Sequence, residues 1–258
     1  SEKELVIDTL NGLINLIGWD KNYIFMEVTQ NFRGFSDKEV KELIEKTRPI
    51  ITKNDRTVEI ITPKLQRIFL FRSYGVSLNL YVPSEMISGY DLRTSNGSFD
   101  IQNISGEIFI TTSNGRVNLK NLSGNVKANT SNGAIILENV NGNMDFNTTN
   151  GSFSGEYLNG NLKAVSSNGP LTLSNSEVQI YLKTSNGRIN INENILTGNN
   201  NYIKSSNGGI YINSDLENTG EMEVRTSNSE ITMLIPENKS AEIEANTSNK
   251  KIILDNIE

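Results

Sequence analysis

The 258-residue sequence contains neither cysteine nor histidine. Without cysteine there are no disulfides, thiol nucleophiles or zinc thiolates, and the chain suits any redox compartment. Without histidine, Ser-His-Asp triads, imidazole general bases and the commonest metal ligands are excluded. Basic residues are in the minority, 24 Lys and Arg against 30 Asp and Glu. The resulting net charge of −6 and pI of about 5.0 argue against a general nucleic-acid binder. No apolar run is long enough to span a membrane, and no secretory signal or lipidation motif is present. The chain starts at Ser1 rather than Met. Any membrane attachment is therefore expected to come through a separate anchor.

What the chain does have is repetition. Asn-Gly pairs from Asn96-Gly97 to Asn186-Gly187 recur every 18 residues, and Asn207, Asn228 and Asn249 continue the series at 21. Thr or Ser stands two residues before each Asn. Around Asn132, Val126, Ala128, Ile135 and Leu137 alternate with polar residues, and the other copies repeat this pattern. That is the period of strands with one buried face, and no segment of the repeats has helical spacing. A second turn is expected at Gly106, Gly124, Gly142 and Gly160. Each coil thus reads as two short strands and two tight turns. The expected fold is all-β: a right-handed parallel β-solenoid with coils of 18–21 residues. Each strand meets its own copy about 4.8 Å along the axis, so the coils from Tyr90 onward should extend roughly 40 Å.

Asn-Gly at the corner predicts left-handed backbone, which Asn tolerates and Gly adopts without penalty. The late corners Asn228-Ser229 and Asn249-Lys250 keep Asn without Gly. Asn is therefore expected to matter more than Gly, its amides turned into the stack as a ladder. The Thr and Ser hydroxyls are expected on the same side as a second ladder.

The N-terminus carries the signature once, with Leu5, Ile7 and Thr9 before Asn11-Gly12 and Ile14 and Leu16 after it. Residues 1–90 read as this first coil plus an α/β capping insertion, and 91–258 as the regular solenoid. The insertion holds a strand at Ile24–Val28 and one α-helix. Ser36 and Glu39 form a capping box for the helix, Val40, Leu43 and Ile44 its apolar stripe, and Pro49 its stop. Strands are expected at Thr57–Thr62, Arg67–Phe71 and Val76–Val82. A terminal cap of this kind hides an open sheet edge. At the other end Ile252, Ile253, Leu254 and Ile257 have no cover, while Glu242, Glu244 and Glu258 oppose end-to-end pairing. The expectation there is a chain continuing past Glu258, or a monomer or weak dimer.

The Thr-Ser-Asn-Gly array, with Gly18-Trp19-Asp20 upstream and Leu80–Pro83 just before the repeats, resembles the adhesin β-strand-repeat family of prokaryotes, also called toastrack domains. The resemblance spans nearly the whole chain. It implies a β-solenoid, often attached to envelope or membrane-anchoring modules, and it brings no catalytic residues to carry over.

Two outward clusters are candidate sites. Lys183, Lys204 and Arg225 form a basic column, with Tyr181, Tyr202 and Tyr211 outward on the same coils. Such a face could bind a glycan through ion pairs and ring stacking, or simply be solvated. Glu221, Glu223, Glu242 and Glu244 form an acidic cluster near the end. Glu223 and Glu244 should lie about 5 Å apart, the spacing of a retaining glycosidase pair, and could supply half a calcium site. Arg225 is within reach to neutralise them, and acids at an open edge are ordinary. No catalytic residue and no cofactor is assigned. The expected function is a non-enzymatic structural or interaction module of the cell envelope that meets a protein or glycan at the cell surface. A cytoplasmic location, a carbohydrate-binding module and a polysaccharide-active β-helix enzyme are the alternatives.

Overall fold

The computed structural model describes residues 3–65, 72–84, 86–217, 219–236 and 242–257. It is a parallel β-solenoid. The strand Val117–Thr130 pairs with Ile135–Thr148, and that with Phe153–Ser166, each residue meeting the one 18 positions on. Later pairs, such as Tyr181 with Tyr202 and Ile210 with Ile231, step by 21. The inward positions are fully buried: Val126, Ala128, Ile135 and Leu137 are at most 1 % exposed. Each such Leu or Ile contributes about 2 kcal/mol by burial, and only a stack of coils provides neighbours on both sides.

A coil has one more bend than the sequence suggests. Gly106, Gly124, Gly142 and Gly160 do turn, with φ between 114° and 129°. Three residues earlier Asn103, Asn121, Asn139 and Tyr157 are also left-handed, at φ 53–60°. The residues next after them, Ile104, Leu122, Val140 and Leu158, point inward and are 1–3 % exposed.

The Asn-Gly corner works differently from expectation. Neither Asn132 nor Gly133 is left-handed. Glycine is needed there because the coils touch: a β-carbon on Gly133 would lie 1.7 Å from the Gly115 carbonyl oxygen. The Asn side chains do not enter the stack. They lie exposed and bond to one another, Asn114 Nδ2 donating to Asn96 Oδ1 at 2.6 Å and Asn132 to Asn114 at 2.6 Å. This ladder runs unbroken from Asn11 to Asn249, across both coil lengths. The Thr residues face the opposite way and make no hydroxyl ladder. Thr112 Oγ1 accepts from Gly115 N at 3.1 Å and donates to Gly97 O at 3.0 Å, tying its own corner to the one before.

The N-terminal coil is β1 (Lys3–Thr9) and β2 (Ile14–Trp19). The insertion supplies β3 (Phe25–Arg33), α1 (Asp37–Lys46), β4 (Ile50–Lys53), β5 (Thr57–Ile61) and β6 (Ser73–Pro83). β5 and β6 form a further parallel rung on one side of β1 and β2. The strands Ile87–Thr94 and Phe99–Gln102 form the rung on the other side. The N-terminal coil is therefore an interior rung, and the chain builds one rung beneath it before crossing back above it. β3 and β4 close the sheet with antiparallel pairs to β6 and β5. In α1 the capping box is present, Ser36 N donating to Glu39 Oε2 at 2.9 Å, and the Arg72 guanidinium also meets Glu39 at 2.8 Å. These bonds hold the Glu39 carboxyl down at about 2, the Ser36 backbone and hydroxyl contributing most. Of the expected stripe only Leu43 is buried; Ile44 is exposed. The strand expected at 67–71 lies outside the described residues.

Candidate functional face

The strand entering each Asn corner carries outward residues three, five and seven positions before the Asn, and parallel pairing turns each position into a column. The middle column reads Phe109, Lys127, Asp145, Lys163, Tyr181, Tyr202, Glu223, Glu244 in successive rungs. Tyr181 and Tyr202 stack, ring centroids 4.8 Å apart at 16°. Burial and the nearby Glu223 carboxylate push the Tyr202 hydroxyl up from its ordinary value. Lys183, Lys204 and Arg225 follow one another beside them. The structure thus brings five of the six predicted binding residues onto one face. Tyr211 is not among them. It pairs with Asn190 and Thr232 on a different strand series, in a separate depression of about 520 Å³ that includes Arg188.

The acidic residues do meet, Glu221 opposite Glu242 and Glu223 opposite Glu244. Arg225 lies between two of them, 2.7 Å from Glu223 Oε1 and 3.1 Å from Glu244 Oε1. A cation already serves the pair that the sequence reading offered to calcium or to catalysis. Among the described residues no group of three or more Asp or Glu is arranged to hold a metal ion.

A feature missed from sequence lies further toward the N-terminal cap. The column seven before the Asn is an amide ladder: Asn125 donates to Glu107 at 2.5 Å, Asn143 to Asn125 at 2.8 Å and Asn161 to Asn143 at 2.9 Å. Between this ladder and the middle column runs a groove of about 540 Å³, with Phe109 toward one end and Tyr181 toward the other. Both rings are exposed, 48 % and 38 %. The Tyr181 end coincides with the change from 18- to 21-residue coils. There Asn201, buried, accepts from Ile180 N at 2.8 Å and donates to Thr197 O at 2.9 Å, which anchors the extra residues. Asn200 of that longer coil joins the groove wall. The signal was in the sequence, as Asn125, Asn143 and Asn161 recur at 18, but it is weaker than the corner motif. A second aromatic group sits by the cap, where Trp19 packs against Tyr23, Phe25 and Tyr81 with Lys21 over its ring.

Residues 27–256 match the family described as Toastrack DUF4097. A search of the curated proteins returned no match. Among solved structures, a protein from Parabacteroides distasonis, provisionally named as lipid binding, aligns at a TM-score of 0.45 and 11 % identity over 100 % of this chain and 93 % of its own. One from Clostridium sporogenes, provisionally named as a cell adhesion protein, aligns at 0.35 and 13 % identity over 75 % of this chain and 92 % of its own.

Proposed function

The chain belongs to the Toastrack DUF4097 family, and on that premise we propose that it is a non-enzymatic interaction module of the cell envelope. The observation that carries this reading is the order of its outer surface. The corner amides are hydrogen-bonded rung to rung at 2.6–2.7 Å from Asn11 to Asn249. Polar groups held in place before an encounter lose little freedom when a partner arrives. The partner class that suits such a surface is an extended protein or glycan at the cell surface. Among the described residues no helix is long and apolar enough to cross a membrane. Attachment in this reading runs through a separate anchor. The acidic pair engaged by Arg225 fits a binding role better than an acid/base one.

The test is saturable binding of the purified domain to intact cells and envelope fractions of the organism that makes it. Concentration-dependent, competable binding is the expected result. No saturable binding to any fraction would remove the reading. In solution the domain is expected as a monomer or weak dimer, which light scattering over a concentration series checks.

A further inference from the structure

We propose that the groove between Phe109 and Tyr181 binds a linear, uncharged, extended glycan laid along the solenoid axis, one sugar to each rung. This deepens the interaction-module reading and rests on it.

Four features select that ligand. The first is donor chemistry. A primary amide has two N–H donors and two acceptor positions, and the Asn125–Asn143–Asn161 ladder uses one of each. The three Asn rungs therefore each keep one donor and at least one acceptor position for a ligand, the complement of a hydroxyl that both donates and accepts, and Glu107 and Gln179 flank them. The second is spacing. The pattern repeats at the rung interval of about 4.8 Å, close to the advance of one sugar in an extended β-linked chain. From Phe109 to Tyr181 is five rungs, four intervals or about 19 Å, which suits four or five sugars.

The third feature is the pair of exposed rings, which can meet the apolar faces of sugars at the two ends of the groove. The fourth is charge. Lys127 and Lys163 along the groove are balanced by Asp145 and Glu107, with Lys163 and Asp145 paired at 3.3 Å. The balance favours an uncharged polymer over an acidic one. An extended peptide is the poorer fit. The floor strands pair on both sides within the sheet, which leaves no free backbone edge for strand addition.

The experiment is a titration of the isotope-labelled full chain with cellopentaose and chitopentaose, followed by NMR, with the curled maltopentaose as control. The expected result is saturable shifts of the Asn125, Asn143 and Asn161 side-chain amides with at least one extended sugar and none with maltopentaose. Phe109→Ala and Tyr181→Ala should each weaken binding about three- to tenfold, the size of one lost ring contact. Tyr211→Ala, on another face, should leave it unchanged. The wild-type shifts stand even if a variant folds poorly.

Absence of shifts with both extended sugars overturns the proposal, as does equal binding of maltopentaose. Shifts centred on Trp19 and Phe25 overturn it too. The two readings fail differently: envelope binding that survives periodate but not protease sinks the glycan groove and leaves the module standing.

Discussion

Gly133 lies so close to Gly115 of the preceding coil that a β-carbon on it would come within 1.7 Å of the Gly115 carbonyl oxygen. The neighbour is backbone, fixed by rungs on both sides, and cannot swing away. Gly133→Ala is therefore expected to cost more than about 3 kcal/mol, above the usual range for overpacking. Asn132→Ala removes two exposed amide bonds and should cost about 1 kcal/mol. Denaturant midpoints of the two variants check the order. Equal losses would mean that the coils can separate locally.

Tyr157 occupies the left-handed corner that Asn103, Asn121 and Asn139 occupy in the coils before it, at φ 55°. A non-glycine side chain pays about 1–2 kcal/mol for that conformation, and Asn pays less because its short amide bonds locally. Here Asn139 already donates to Asn121 at 2.8 Å. Tyr157→Asn should relieve strain and extend this second ladder, raising stability by about 1 kcal/mol. An unchanged or lowered unfolding midpoint would show that the exposed ring compensates.

The cap helix should respond to acid in a defined window. Glu39 is held at about 2 against an ordinary value of 4.5, chiefly by the Ser36 amide and hydroxyl and then by Arg72. Its contribution is complete above about 4.5 and is lost as pH falls through about 2. A carboxyl-carbon NMR titration of Glu39 with a midpoint near 4.5 would show that the capping box does not persist in solution.

β1 and β2 begin the described chain yet sit between two rungs. Native-state hydrogen exchange should find the amides of Leu5–Thr9 as protected as those of Val126–Thr130. The exposed strand β4 should exchange much faster. Fast exchange at Leu5 and Ile7 would place the N-terminal coil at the edge of the stack.

The repeat made the solenoid legible because period-two alternation and the 18-residue step each demand stacking, and the Ser36–Glu39 box marked the helix. The extra bend was hidden. Left-handed Asn121 looks like any polar residue until φ is known, and Tyr157 and Glu193 replace Asn in the same role. The order of rungs was hidden as well, since nothing local in Leu5–Thr9 states that β5 will pair beneath it. At the candidate face, periodicity put Tyr181 and Tyr202 in one column. Tyr211, outward on the same coils, lies apart from them because its strand belongs to a different side of the coil, which depends on the bends and not on the count of residues.

The corner bonds also bear on how the molecule ages. An Asn-Gly pair in a flexible chain loses its amide when the glycine nitrogen attacks the Asn side-chain carbonyl and closes a five-membered imide. Here each glycine nitrogen is already committed: Gly133 N donates to Thr130 Oγ1 at 3.1 Å, and Gly151 and Gly187 repeat the contact at 3.0 and 3.1 Å. The Asn carbonyl oxygens are occupied by the next amide in the ladder. The seven consecutive corner pairs from Asn96-Gly97 to Asn207-Gly208, each the most ammonia-losing dipeptide, should therefore stay intact for as long as the coils are stacked, and Thr130→Val should give the Asn132 site a head start. Mass spectrometry of protein stored at mildly alkaline pH would show it, and the stack would then be the device that keeps its own corners chemically young.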